Sequence, residues 1–411
     1  MTRPAHAPSN KDIMAPSAPG IRHDPLKTVL PLEGAHPSVF RWATEPAVSG
    51  YARLLHHSDH KGPGLPVPVC ASPVALPGVG VVVGTFNGRV RLYDRSLSKT
   101  YWEIRLGAPI YASLVADRSR RRVVVATTEG QVVCLDLRGR LVWQAQTGVR
   151  IYATPTIVPG ADLLVIAAFE SHCLGIDLAT GRQLFARELP RPWHVGHGSA
   201  AHRDPYASPV TTPASTAVIA CAEHVLCMGA DGKQRWQHEV GHAIKASPAV
   251  LPGRAEVAVC SVDGRCLFLD AVSGTPRGEL KLGGKVVASP AVSGRFLVVG
   301  TQDGTAYGID VERRAIVWTA PGYGAREYTS FTLLPDSNFT AVTVRGNAVG
   351  LRREDGQFLW ETSQVLGLTD HDPAMDVTPV AGHDGSMYCG SYSGMLYHFR
   401  FRPAETEGKH V

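Results

Sequence analysis

No apolar run in this chain approaches the ~18 consecutive residues that a membrane-spanning helix needs, so nothing in it reads as a helical span. Basic runs are missing too. The 41 Lys and Arg stand against 36 Asp and Glu, a net charge of +5 spread along the chain, which does not indicate a nucleic-acid partner. The chain has no GxSxG elbow, no P-loop, and no GxGxxG between a strand and a helix, so those catalytic classes find no support, and its histidine-rich stretches HHSDH and HVGH do not match HExxH. Its eight cysteines form no CxxC pair, and Cys134, Cys173, Cys227 and Cys266 sit inside apolar runs, as free buried thiols do in a reducing compartment. The opening stretch, residues 1–35, is rich in Pro, Ala and Ser and lacks the apolar core of a secretory signal. It reads as a disordered lead-in, and the expected location is cytoplasmic.

Gly and Pro are plentiful, at 42 and 30 residues, a load of turn formers that suits an all-β chain. Repeats come next, because overlooking them misassigns the fold. Eight stretches align on an Ala-Ser/Thr-Pro-like triplet: VCASPVA (69–75), IYASLVA (110–116), IYATPTI (151–157), PYASPVT (205–211), IKASPAV (244–250), VVASPAV (286–292), EYTSFTL (327–333) and MDVTPVA (375–381). Each leads into a β-rich run, a turn, another alternating run, and often a Gly and a Trp. Most intervals are about 41 residues, the period of a four-stranded propeller blade.

The fold expected is therefore all-β, an eight-bladed propeller of four-stranded antiparallel blades over residues 36–404, with a tail at 405–411. The last unit supplies too few strands before the chain ends. An N-terminal strand, SVFRWATE (38–45), is expected to complete it and remove the open edge, with 46–67 as an insertion on the top face.

The recurring pattern Ala-Ser-Pro-x-Val, then Val-Val-Gly-Thr-x-Asn/Asp-Gly, then Leu-Asp-x-x-x-Gly, then Trp resembles the pyrroloquinoline-quinone-like (quinoprotein-type) propellers, over roughly residues 65 to 404. The resemblance implies the fold and says little about function. Such relatives include quinone-dependent alcohol dehydrogenases, an outer-membrane assembly lipoprotein, and propellers appended to adenylating enzymes. The dehydrogenases carry an adjacent-cysteine disulfide over their cofactor, and no Cys-Cys pair occurs here. The lipoprotein needs a signal and a lipidated Cys, whereas the first Cys here is Cys70. The expectation is thus the fold without the quinone.

Three departures from the repeat fall on the face where inner strands begin, where a rigid scaffold displays its loops. The residue before each triplet, Cys70, Tyr111, Tyr152, Tyr206, Lys245, Val287, Tyr328 and Asp376, is expected to surround one channel mouth. Phenols, an ammonium and a carboxylate suit acid–base chemistry or capture of a polar ligand; alternatively, Lys245 simply pairs with Asp376. Four long links (46–67, 190–205, 321–328, 363–375) hold seven of the seventeen histidines: His56, His57, His60, His194, His197, His202 and His371. They also carry Trp193, Arg203, Asp204, Arg326 and Asp372. Finally, two turns that are plain elsewhere become FESHC, with Glu170 and His172, and AEHVL, with Glu223 and His224.

These features support three readings. The first is a soluble enzyme of specialised metabolism that performs non-redox acid–base chemistry (cyclisation, isomerisation, elimination or hydrolysis) on a small polar molecule, with no cofactor required. Lys245, His194, His197, His371, Tyr152, Tyr206 and Asp376 would do the chemistry, while Tyr111, Tyr328, Arg203, Arg326, Glu170, Glu223 and Trp193 would bind the substrate. The second is a non-catalytic scaffold for a carrier or adenylating protein. The third adds zinc or iron, held by His56, His60, His197 and His202.

Overall fold

In the computed structural model the described residues are 22–24, 48–56, 65–193, 202–322, 329–334, 338–343, 346–363, 372, 374–382 and 384–403. They form eight antiparallel sheets of a β-propeller, seven of four strands and one of five. Within a blade the two middle strands are buried on both faces, as in Leu163–Ala168, where all six residues are inaccessible. Outer strands alternate instead. Leu141–Gln146 buries Trp143 and exposes most of its neighbours. The difference follows from position, since middle strands are covered by a blade on each side and outer strands meet water.

The core is not one mass but eight clusters, each lying between two neighbouring blades. One joins the first blade to the second through Leu92, Ile104, Ile110 and Leu135, and the last joins the eighth to the first through Tyr388, Leu396, Val69 and Val81. Because every blade is half of two clusters, the ring must be closed for all of them to be dry.

The Gly and Trp of the repeat work as a pair across that junction. Trp143 Nε1 donates to the Leu178 carbonyl of the next blade at 2.9 Å, and Trp102, Trp236 and Trp318 do the same to Leu137, Ala271 and Arg353. The indole lies on a turn glycine of that blade. At Gly181, φ is +77° and an added Cβ would stand 2.6 Å from the Trp143 ring, so no other residue fits without displacement. Trp360 has no such acceptor among the described residues. It meets Phe401 edge-on at 5.3 Å, because the eighth blade lacks the turn that would supply the carbonyl.

The triplet hydroxyls explain themselves in the same way. The amide of Ser72 donates to Ser113 Oγ, and the pattern runs on through Thr154, Ser208, Ser247, Ser289, Ser330 and Thr378, each step 2.9–3.1 Å. Ser72 Oγ then donates to the Thr378 carbonyl at 3.0 Å and joins the two ends. In seven of the eight triplets the Ser or Thr is therefore the acceptor that stitches one inner strand to the next, and in the first, Ser72, it is the donor.

Closure by an N-terminal strand holds, but with a different segment. Val48–Leu55 pairs antiparallel with Met395–Phe401 and completes the eighth blade. Residues 38–45, expected in that place because of Trp42, lie outside the described residues, and the eight residues Val48–Leu55 of the supposed 46–67 insertion are in fact this strand. A second N-terminal piece, Arg22–Asp24, adds a fifth strand to the outer edge of the first blade. All eight cysteines are free, and all but Cys70 are buried. No helix among the described residues is long and apolar enough to cross a membrane.

Candidate functional site: an axial cavity and a top-face groove

Seven of the eight residues preceding the triplets, Cys70, Tyr111, Tyr152, Tyr206, Lys245, Val287 and Asp376, line one cavity of about 390 Å³ on the ring axis. Tyr328 lies outside the described residues. The inner strands place them there, since the hydroxyl ring fixes each triplet and the preceding side chain then points toward the axis.

One wall of the cavity is aromatic and continuous. The Tyr111 and Tyr392 hydroxyls are 3.2 Å apart. The Tyr111 and Tyr152 rings are 5.2 Å apart, Tyr152 stacks on Phe169 at 4.4 Å, and Phe169 meets Tyr206 edge-on at 5.0 Å. Phe169 and Tyr392 come from a second column, the turns between second and third strands, which the triplet alignment does not show. Burial first, then the Tyr111 hydroxyl, raises the Tyr392 phenol well above its ordinary value. Burial alone pushes the Cys70 thiol up to about 12. Both groups are uncharged at neutral pH.

Lys245 does not pair with Asp376. Its Nζ lies 2.8 Å from Asp204 Oδ1 and 5.4 Å above the Tyr206 ring. Asp204 ends the 190–205 link, and the amide of Ser171 holds its carbonyl at 3.0 Å, which brings the carboxylate to the lysine. Asp376 instead accepts a short hydrogen bond from Thr329 Oγ1.

The remaining candidates are dispersed. His202 is buried, and its Nδ1 accepts the Asp204 amide at 3.4 Å while Nε2 faces Ser171 Oγ at 3.3 Å. Ser171 Oγ donates to the Pro190 carbonyl at 2.9 Å, so the trio pins the link and is not arranged as a nucleophile and base. His56 is buried, with Nε2 at 2.9 Å from the Tyr93 hydroxyl and Nδ1 at 3.3 Å from the Gly394 carbonyl. It lies where the eighth blade meets the first, far round the ring from His202, and both histidines have both nitrogens engaged. No group of metal-ligating side chains forms among the described residues. His57, His60, His194, His197, His371 and Arg326 lie outside them. Glu170 makes an exposed ion pair with Arg150 at 3.0 Å, and Arg203 is exposed.

A second concavity, of about 680 Å³, opens on the same face between the links before the fifth and sixth blades. Trp193 stands at its edge with 76% of its surface exposed. The buried Glu223 carboxylate accepts the Trp193 amide at 3.2 Å and fixes the base of that link. Across the groove, Asp263 is surrounded by two cations and an imidazole: Arg265 Nε at 2.8 Å, Lys281 Nζ at 3.7 Å and His242 Nε2 at 3.6 Å. Lys285 adds a further positive charge to the lining.

Fold and sites together define a propeller of the quinoprotein type with an axial cavity and a basic groove on one face. The family described as outer membrane protein assembly factor BamB matches residues 53–230 and 222–407, and the chain belongs to this PQQ-like repeat family. It is 21% identical to the assembly factor BamB of Bordetella pertussis over 322 residues, 77% of this chain and 70% of that one. It is also 31% identical to the beta-alanine-activating enzyme of Danio rerio over 118 residues, 25% of this chain but only 10% of that protein's length. The crystal structure of BamB from Moraxella catarrhalis superposes with a TM-score of 0.67 at 15% identity, covering 87% of this chain and 100% of that one. The computationally designed Ika8 protein superposes with a TM-score of 0.60 at 15% identity, over 81% of this chain and 96% of its own. These two likenesses concern the fold alone.

Proposed function

We propose that this protein is a non-catalytic propeller scaffold whose top-face groove docks an acidic segment of a protein partner. The observation that carries this is the groove itself: Trp193, 76% exposed, faces a lining that includes Lys281, Lys285 and His242. An exposed indole beside clustered cations suits an acidic chain carrying an apolar anchor, since aromatics dominate binding energy and charge guides encounter. Relatives named as an assembly factor agree with a partner-binding role.

Turnover in the axial cavity has less support. Its acid–base groups already hold internal partners, Lys245 with Asp204, Asp376 with Thr329, and Tyr111 with Tyr392. A carrier or adenylating protein remains one candidate partner, and a metal one candidate addition in the loops around His60 and His197.

The test is site-specific photo-crosslinking in extract of the source organism, with the reactive residue at Lys285 and, as control, at Val272, which is 68% exposed on the opposite face. A discrete adduct from the Lys285 site, lost on Trp193→Ala with Lys281→Glu, is the expected result. Equal labelling from both faces, or an adduct indifferent to those substitutions, would overturn the proposal.

A further inference from the structure

Independently of the groove, we infer that the axial cavity is a binding site for a small organic cation, an aromatic primary amine seated against Asp376. The argument is a count of charge at the lining. Among the described residues, the lining carries two ionised side chains, Lys245 and Asp376. The lysine is already neutralised by Asp204, which stands behind it at 2.8 Å with only 6% of its side chain exposed. Asp376 has only the hydroxyl of Thr329 as partner among the described residues, a neutral donor. The thiol of Cys70 and the phenol of Tyr392 stay protonated. A lining that looks cationic from Lys245 alone therefore carries one net negative charge among the described residues.

The shape agrees with the charge. Tyr392, Tyr111, Tyr152 and Tyr206 line the cavity, with the buried Phe169 packed between Tyr152 and Tyr206, and this aromatic wall receives a flat apolar body. It already accepts one ammonium, that of Lys245 over Tyr206 at 5.4 Å. A divalent metal would need several charged oxygens, and this lining offers one carboxylate. The volume of about 390 Å³ lies in the lower part of the range of small-ligand pockets, so a single-ring amine fits and a large cofactor does not.

Titration calorimetry of the full chain with two near-isosteric probes of opposite charge tests this. Tyramine is expected to bind saturably with one molecule per chain, and 4-hydroxyphenylacetate is expected to give no saturable heat. Asp376→Asn keeps an acceptor for Thr329 but removes the charge, and should weaken tyramine at least about tenfold, the loss of one charge-assisted contact. The double variant Lys245→Met/Asp204→Asn deletes a pair that already cancels, and should leave tyramine affinity within about threefold. Absence of tyramine binding, equal or tighter binding of the anion, or an unchanged affinity in Asp376→Asn would each overturn the inference.

Discussion

Replacing Lys245 by methionine keeps most of its length and removes its charge, leaving Asp204 buried without a counter-ion. The two atoms are 2.8 Å apart, with side chains 27% and 6% exposed. At an effective dielectric constant of about 20, charges at that separation attract by roughly 6 kcal/mol, much of which offsets the cost of removing the carboxylate from water. Breaking a fully buried pair typically costs ~3–5 kcal/mol, and the partial exposure of this lysine lowers the expected loss to about 2–3 kcal/mol. Urea unfolding at neutral pH, followed by tryptophan fluorescence, reads it directly. Asp204→Asn in the same chain should recover most of the loss, because the stranded charge is then gone. A single variant within about 0.5 kcal/mol of wild type, or a double variant no more stable than the single, would show that Lys245 is held for something other than Asp204.

Two further predictions concern the framework. Ser247→Ala removes the acceptor of the Ser208 amide and should cost about 1–3 kcal/mol, with amide exchange accelerating at Ser208 more than at Ser72 across the ring. Burial, then Arg91, holds His56 at a pKa of about 4, and burial, then Arg400, does the same for His398. The unfolded chain binds both protons below about pH 6.5, so stability is complete above that pH and falls as pH drops toward 4, by roughly 3 kcal/mol per histidine at full extent. Unfolding midpoints measured from pH 7 to 4 should show this decline, and His398→Gln should reduce it. A flat profile would contradict the assigned burial.

Eight blades and seven of the eight axial residues were legible because both are properties of a period. Each triplet fixes a strand start, and the residue before it inherits a position. What depends on contact between distant segments was not. The closing strand was placed at 38–45 on the strength of Trp42, whereas pairing is settled by backbone register along Met395–Phe401, which Val48–Leu55 satisfies. Lys245 was expected to meet Asp376 because both stand in one column, yet Asp204, from the end of the link between the third and fourth blades, meets it instead. The triplet hydroxyls looked like strand-start chemistry within one blade, since nothing local shows that their donors lie some 39 to 54 residues earlier. Phe169 was overlooked because its column is mostly Thr, Ala, Val and Gln, and only its contact with Tyr152 gives it a role in the wall. Of the seven loop histidines, five lie outside the described residues, and the two that are described have structural partners. His56 and His202 fill hydrogen bonds inside the link bases.

The hydroxyl ring also has a direction. Seven steps run the same way, amide of one blade to hydroxyl of the next, and the eighth is made by Ser72 Oγ to the Thr378 carbonyl. It behaves as a hoop with a single clasp. Each bond ties one strand start to the next. The clasp lies beside the junction closed by Val48–Leu55, so hoop and closing strand fasten the same seam from the inside and the outside. A chain re-cut in any bottom-face turn, with its present ends joined, would keep both.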